Sequence, residues 1–143
     1  DDEVVYIARN GPNRNMNTGY VLGARVPAQV TAAGMLMLSM RSDAELEHWL
    51  DNRALTVFTS HTITCPAEMR RELALIRTQD WALCEQQLNL DSRGIAVPLR
   101  DRHGALAGAL NITMPMGRET GKDAVARVLP MLRETAQAMR DLI

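Results

Sequence analysis

Thr31-Ala32-Ala33-Gly34 is the segment of this 143-residue chain best suited to hold a small molecule. It follows an extended run, Arg25-Val26-Pro27, that Pro27 stops, and Thr31 is of the type that opens a helix. The three residues after it carry almost no side chain, so nothing shields the free N–H groups of the helix start. Those amides and the positive end of the helix dipole point the same way and favour a small anion. The same small residues also suit an ordinary capped helix packed tightly, and this segment alone leaves both readings open.

A second feature lies in the last third, where the sequence alternates with period two. Alternation sends successive side chains to opposite faces of a sheet. One face collects Leu83, Ile95, Val97, Leu106, Leu110, Ile112 and Met114. The other collects Cys84, Gly94, Ala96, Ala107, Ala109, Asn111 and Thr113. A face of Ala and Gly leaves room beneath a helix layer, either for a close-packed backbone or for a ligand, and Asn111 and Thr113 would give that ligand hydrogen bonds. The helix start and the small-residue face complement each other: one takes a carboxylate, the other its carbon skeleton.

Other candidates carry less. Arg9, Arg14, Arg25 and Arg93 are of the type that grips a carboxylate bidentately, and at most one is expected to face the cavity. His48, His61 and His103, with Cys65 and Cys84, lack metal-ligand spacing, so no metal and no cofactor are expected. No nucleophile elbow or acid–base pair stands out, and no catalytic residue is assigned. Cys84 reads as a buried structural thiol.

These residues must be positioned by strands expected over 3–9, 15–22, 81–88, 94–99 and 106–114, the first two forming a hairpin. Helices are expected over 31–40, from an Asp43 cap through Leu46, Trp49 and Leu50, over 66–79, and over 120–142. In the last, Thr120 with Asp123 approximates a capping box and Pro130 should kink the helix or loosen its first turns. Antiparallel strands flanked by helices make an α+β fold, a single domain over 1–143 with a long C-terminal helix. The net charge of −1 excludes a module that grips nucleic acid by itself, and 3% aromatic residues exclude a stacking platform for single strands. Two cysteines point to a reducing cytoplasm, and no apolar run is long enough to span a bilayer. Beginning at Asp1 and entering a strand almost at once, the chain reads as a piece of a longer protein.

The order of motifs resembles the effector-binding domain of the IclR family of bacterial transcription regulators. The likeness runs through Val4-Val5-Tyr6-Ile7-Ala8-Arg9, Gly23-Ala24-Arg25-Val26-Pro27-Ala28, Thr31-Ala32-Ala33-Gly34 and Leu55-Thr56 with Thr59 and Thr62-Ile63. It continues through Ile95-Ala96-Val97-Pro98-Leu99 and Gly104-Ala105-Leu106-Ala107-Gly108-Ala109-Leu110. The Val-Pro-Ala wording and Leu129-Pro130-Met131-Leu132-Arg133-Glu134-Thr135-Ala136 look most like the branch that regulates aromatic-acid breakdown through protocatechuate and 4-hydroxybenzoate. The resemblance implies a GAF-like fold, a small organic-acid effector, and assembly as homodimers or homotetramers. It also implies an N-terminal winged helix-turn-helix, outside this chain, that reads DNA. Carried over by position, effector contacts fall at Thr18, Val26, Ala32, Ala33, Cys84, Gly94, Asn111 and Thr113, with Ala96 added from the alternation.

The chain departs from the family pattern at Met35, where Lys is frequent, at Gln87, where Glu is common, at Asp91 in place of Gly, and at Cys84, acidic in some members. Fewer carboxylates near the pocket suit an anionic ligand. The expected function is therefore a ligand-sensing domain of a regulator, with a small enzyme acting on an organic acid, or a GAF-like protein-association module, as the alternatives.

Overall fold

The computed structural model describes residues 2–11 and 21–143. Among the described residues are two antiparallel sheets and four α-helices, an α+β arrangement. Strand β1 (Glu3–Val5) pairs with β2 (Arg25–Pro27), with Val4 opposite Val26. The strand expected over 3–9 is thus shorter. The partner expected for it over 15–22 lies mostly outside the described residues, and the described Val21 and Leu22 are not strand. Strands β3 (Ala82–Glu85), β4 (Ser92–Arg100) and β5 (Leu106–Pro115) form the main sheet in the order β3-β4-β5. Pro98 is tolerated in the central strand because β3 ends opposite Ala96, so no ladder partner on that side awaits its missing N–H.

Helix α1 (Ala32–Ser39) is apolar all round, and every residue but Met37 is buried. A helix of that composition belongs inside the protein. It lies between the main sheet and α3 (Pro66–Gln79), whose Met69, Leu73 and Ile76 are buried at helical spacing. Helix α2 (Asp43–Asp51) adds Leu46, Trp49 and Leu50 to the same core. Its cap is Ser42 rather than Asp43: the Ser42 hydroxyl accepts from the Glu45 N–H and the Glu45 carboxylate returns a bond to the Ser42 N–H. Ser42 carries Glu at the third helical position and so completes a capping box, whereas Asp43 has Leu46 there.

The long helix α4 (Gly121–Ala138) covers the other face of the sheet, where Val128 and Ala124 pack on Ile95, Leu83 and Ile112. Thr120 accepts from the Asp123 N–H at its start. The helix runs on through Pro130, whose exposed position lets water satisfy the carbonyl it frees. Among the described residues, no helix is long and apolar enough to cross a membrane.

Candidate functional site

The register places Cys84, Gly94 and Thr113 side by side across the main sheet, with Ala82, Ala96 and Asn111 in the next row. These small and polar residues face α1, and the bulky Leu83, Ile95 and Ile112 face α4. The α1 face is used in two ways. At the Ala96 row it is packed shut, with Ala82 and Ala96 fully buried. At the Cys84 row a hollow remains between the sheet and the start of α1, lined by Ala32, Cys84, Gly94, Asn111 and Thr113 among others.

Beneath that helix start, Thr31 caps α1 by accepting from the Gly34 N–H at 3.1 Å, and the Met35 N–H bonds the Thr31 carbonyl at 2.9 Å. The amides of Ala32 and Ala33 have no carbonyl four residues earlier inside the helix. A Cβ placed on Gly94 would lie 3.2 Å from the Ala32 Cβ and 3.8 Å from the Ala32 nitrogen, so Gly94 leaves that amide uncovered from the sheet side. The other two small residues are small for packing. A Cβ on Gly34 would come within 2.3 Å of the Ala28 backbone, and Ala33 sits in the apolar core.

Across the hollow, the Asn111 side-chain amide donates to the Thr113 hydroxyl at 3.3 Å, both half-buried on β5. The Cys84 thiol donates to the Val30 carbonyl at 3.3 Å. Burial pushes its pKa up to about 12, with Glu72 and Glu85 adding to the rise and a hydrogen bond from the Gln87 backbone opposing it. It is therefore a protonated, unreactive thiol at neutral pH.

Among the described residues, no charged side chain lines this hollow. Arg93 is on β4 next to Gly94, but the pleat turns it to the α4 side, where it is only 2% exposed and bonds the Glu85 carboxylate and the Glu119 carbonyl. Arg25 pairs with Glu3 at the surface, Arg9 is exposed, and Arg14 lies outside the described residues. The three histidines stay apart, and among the described residues no group of three His, Cys, Asp or Glu could hold a metal ion.

Of the other sequence candidates, Val26 and Ala33 are buried in the core behind the hollow rather than on its wall, as is Ala96. Ala107 is exposed, and Thr18 lies outside the described residues. The reading missed Tyr6, Val30, Gln86, Gln87, Leu88 and Ser92, all on the wall, and gave Thr31 the role of helix cap. Alternation projected β3 through Leu88, but the chain leaves the strand at Gln86, in the left-handed region at φ 58°. That turn carries Gln87 inward, where period two would have put a bulky-face residue.

The cavity holds about 30 Å3, room for a water or two. A larger ligand therefore enters only with a shift of the side chains at its lip. A second hollow of about 470 Å3 opens among Asp2, Arg25, Gln29, Trp49, Arg53 and Phe58. It is larger, but its cations are already matched, Arg25 by Glu3 and Arg53 by Asp2.

The family described as bacterial transcriptional regulator IclR, C-terminal, matches residues 1–140. The Pca regulon regulatory protein of Pseudomonas putida is 33% identical over 142 residues, covering 99% of this chain and 48% of its own length. The Pca operon regulatory protein of Acinetobacter baylyi is 30% identical over 145 residues, covering 99% of this chain and 52% of its own. Among solved structures, the inducer-binding domain of a PobR double mutant from Acinetobacter, in complex with 3-hydroxybenzoic acid, superposes with a TM-score of 0.93. It shares 32% identity over 100% of this chain and 85% of that one. The chain spans about half the length of the curated relatives it matches.

Proposed function

The chain belongs to the IclR family of bacterial transcriptional regulators, over that family's C-terminal domain, and from that membership we propose that it senses a small organic acid in the hollow at the start of α1. Aromatic acids are the first candidates, because the PobR domain it resembles at TM-score 0.93 holds 3-hydroxybenzoic acid. The observation that carries the reading is the wall itself. An uncovered helix start at Ala32 faces the Asn111 and Thr113 side chains, with no carboxylate from the described residues on the wall to repel an anion.

In this reading the acid's carboxylate accepts from the Ala32 amide and from Asn111 or Thr113, and the helix dipole offsets its charge. Cys84 and Gly94 make room for the carbon skeleton. Recognition runs through neutral donors, so binding should change little with salt. The DNA-reading winged helix-turn-helix lies outside this chain, and the regulator works as a homodimer or homotetramer in the cytoplasm. Regulation requires that the acid prefer one subunit arrangement over another, since equal affinity for both shifts nothing.

A thermal-shift screen against benzoates, protocatechuate and short keto acids tests the reading. A saturating acid at a hundred times its Kd should stabilise the chain by about 2.7 kcal/mol without being consumed. Product formation would make the protein an enzyme. An absence of any response, with association intact, would leave only an assembly module.

A further inference from the structure

The wall of the hollow holds a buried polar side chain whose amide nitrogen meets only a weak acceptor. Gln87 is only 8% exposed. Its orientation is set by the Ile63 N–H, which requires an oxygen and finds Gln87 Oε1 at 3.2 Å. The amide nitrogen is thereby turned to the inside, where its one acceptor among the described residues is the Met35 thioether at 3.8 Å. A thioether is a weak acceptor, and a primary amide has two hydrogens to place. A buried donor in that state costs free energy that a better acceptor would recover.

Resting on the acid-sensing reading above, the geometry points to Gln87 as a specificity-determining residue: its side-chain N–H2 donates to a second oxygen of the effector, remote from the carboxylate. The hollow then offers two sets of polar groups to one ligand, the α1 start with Asn111 and Thr113, and Gln87. Such a site selects an acid that carries a hydroxyl or keto oxygen over the bare acid of the same skeleton. The Met35 sulfur competes with the ligand for the donor. Taking that competitor away strengthens the bond to the ligand.

Calorimetric titration of this chain with benzoate, 3-hydroxybenzoate and 4-hydroxybenzoate reads the effect as a ratio of dissociation constants. In the unsubstituted chain at least one hydroxybenzoate should bind about tenfold tighter than benzoate, the worth of one well-made buried hydrogen bond. Gln87→Leu should erase that advantage, bringing the ratio of the two dissociation constants to within about twofold of one. Met35→Leu preserves volume and leaves the Ile63 bond intact, and it should widen the ratio. A ratio that Gln87→Leu does not change overturns the assignment while leaving the pocket reading in place. Should Gln87→Leu fail to fold, a ratio unmoved by Met35→Leu overturns the assignment in the same way. Benzoate binding with no hydroxyl advantage also overturns it. If none of the three acids binds, the aromatic-acid reading falls and this assignment with it.

Discussion

Replacing Gly94 by alanine perturbs the site with a single methyl group. Gly94 is on β4 without a left-handed φ, so its backbone accepts alanine. The new Cβ would meet the Ala32 Cβ at 3.2 Å and stand 3.8 Å from the Ala32 nitrogen, between that amide and the hollow. Stability should change modestly. Filling a 30 Å3 cavity returns about 0.7 kcal/mol, and loss of glycine's unfolded freedom returns about 0.4–1 kcal/mol. Tight contact with Ala32 costs about 1–3 kcal/mol. The net lies between a gain of about 0.7 kcal/mol and a loss of about 1.9 kcal/mol, or a Tm change between about +3 and about −8 °C for a chain of this size.

Ligand binding, in contrast, loses a charge-assisted hydrogen bond worth about 1.5–3 kcal/mol, a ten- to hundredfold weakening. At a hundred times the wild-type Kd, the acid-induced rise of about 11 °C should fall to between about 6 and 2 °C. Scanning fluorimetry with and without 4-hydroxybenzoate, or whichever acid the screen identifies, reads both quantities. An undiminished rise in Gly94→Ala would refute the placement of the carboxylate at the Ala32 amide.

Gly34→Ala should cost about 3 kcal/mol or more, because the added carbon would come within 2.3 Å of the Ala28 backbone; chemical denaturation measures it. Gln29→Ala should cost about 1–3 kcal/mol, since the buried Gln29 amide both donates to and accepts from the Thr56 backbone; the same denaturation series reads it. Iodoacetamide at pH 8 should label the exposed Cys65 and spare Cys84, whose pKa burial raises to about 12; mass spectrometry of tryptic peptides locates the label. Glu119 has its carboxyl held below the usual range, first by its hydrogen bond from Arg127 and then by the charges of Arg127 and Arg93. Its contribution is present above the unfolded carboxylate value and lost as pH falls through the lower folded one. Glu119→Gln should therefore lose that contribution at neutral and alkaline pH and flatten part of the acid limb, as thermal melts across a pH series would show.

Alternation along β4 and β5 was enough to separate the α1 face from the α4 face, because both strands are long and half-buried. It failed at the end of β3, where Gln86 takes a left-handed turn that no glycine or proline announces. The α1 start was legible from Thr31 and the small residues after it, but their reasons differ. Ala32 borders the hollow, Ala33 fills core, and Gly34 makes way for the Ala28 backbone. That division depends on where the preceding turn, Ala28–Val30, passes, and local pattern holds no information on it. Arg93 could be assigned to the α4 side from its register alone, since it neighbours Gly94 in a strand. Its partner Glu85 lies directly opposite on β3, but the Glu119 carbonyl it also bonds is 26 residues away and invisible to spacing. The width of the hollow was overestimated, because side-chain volumes on one sheet face say nothing of how closely α1 approaches.

The account stands on an acid seated at the α1 start, and amide chemical-shift mapping during titration with 4-hydroxybenzoate tests that seat residue by residue. Saturable shifts at Ala32, Ala33, Gly94 and Thr113 and at the Asn111 side chain, with the Trp49 indole and Arg53 unmoved, are the predicted result. Saturable shifts that instead gather on Trp49, Arg53 and Phe58, around the second hollow, would contradict it.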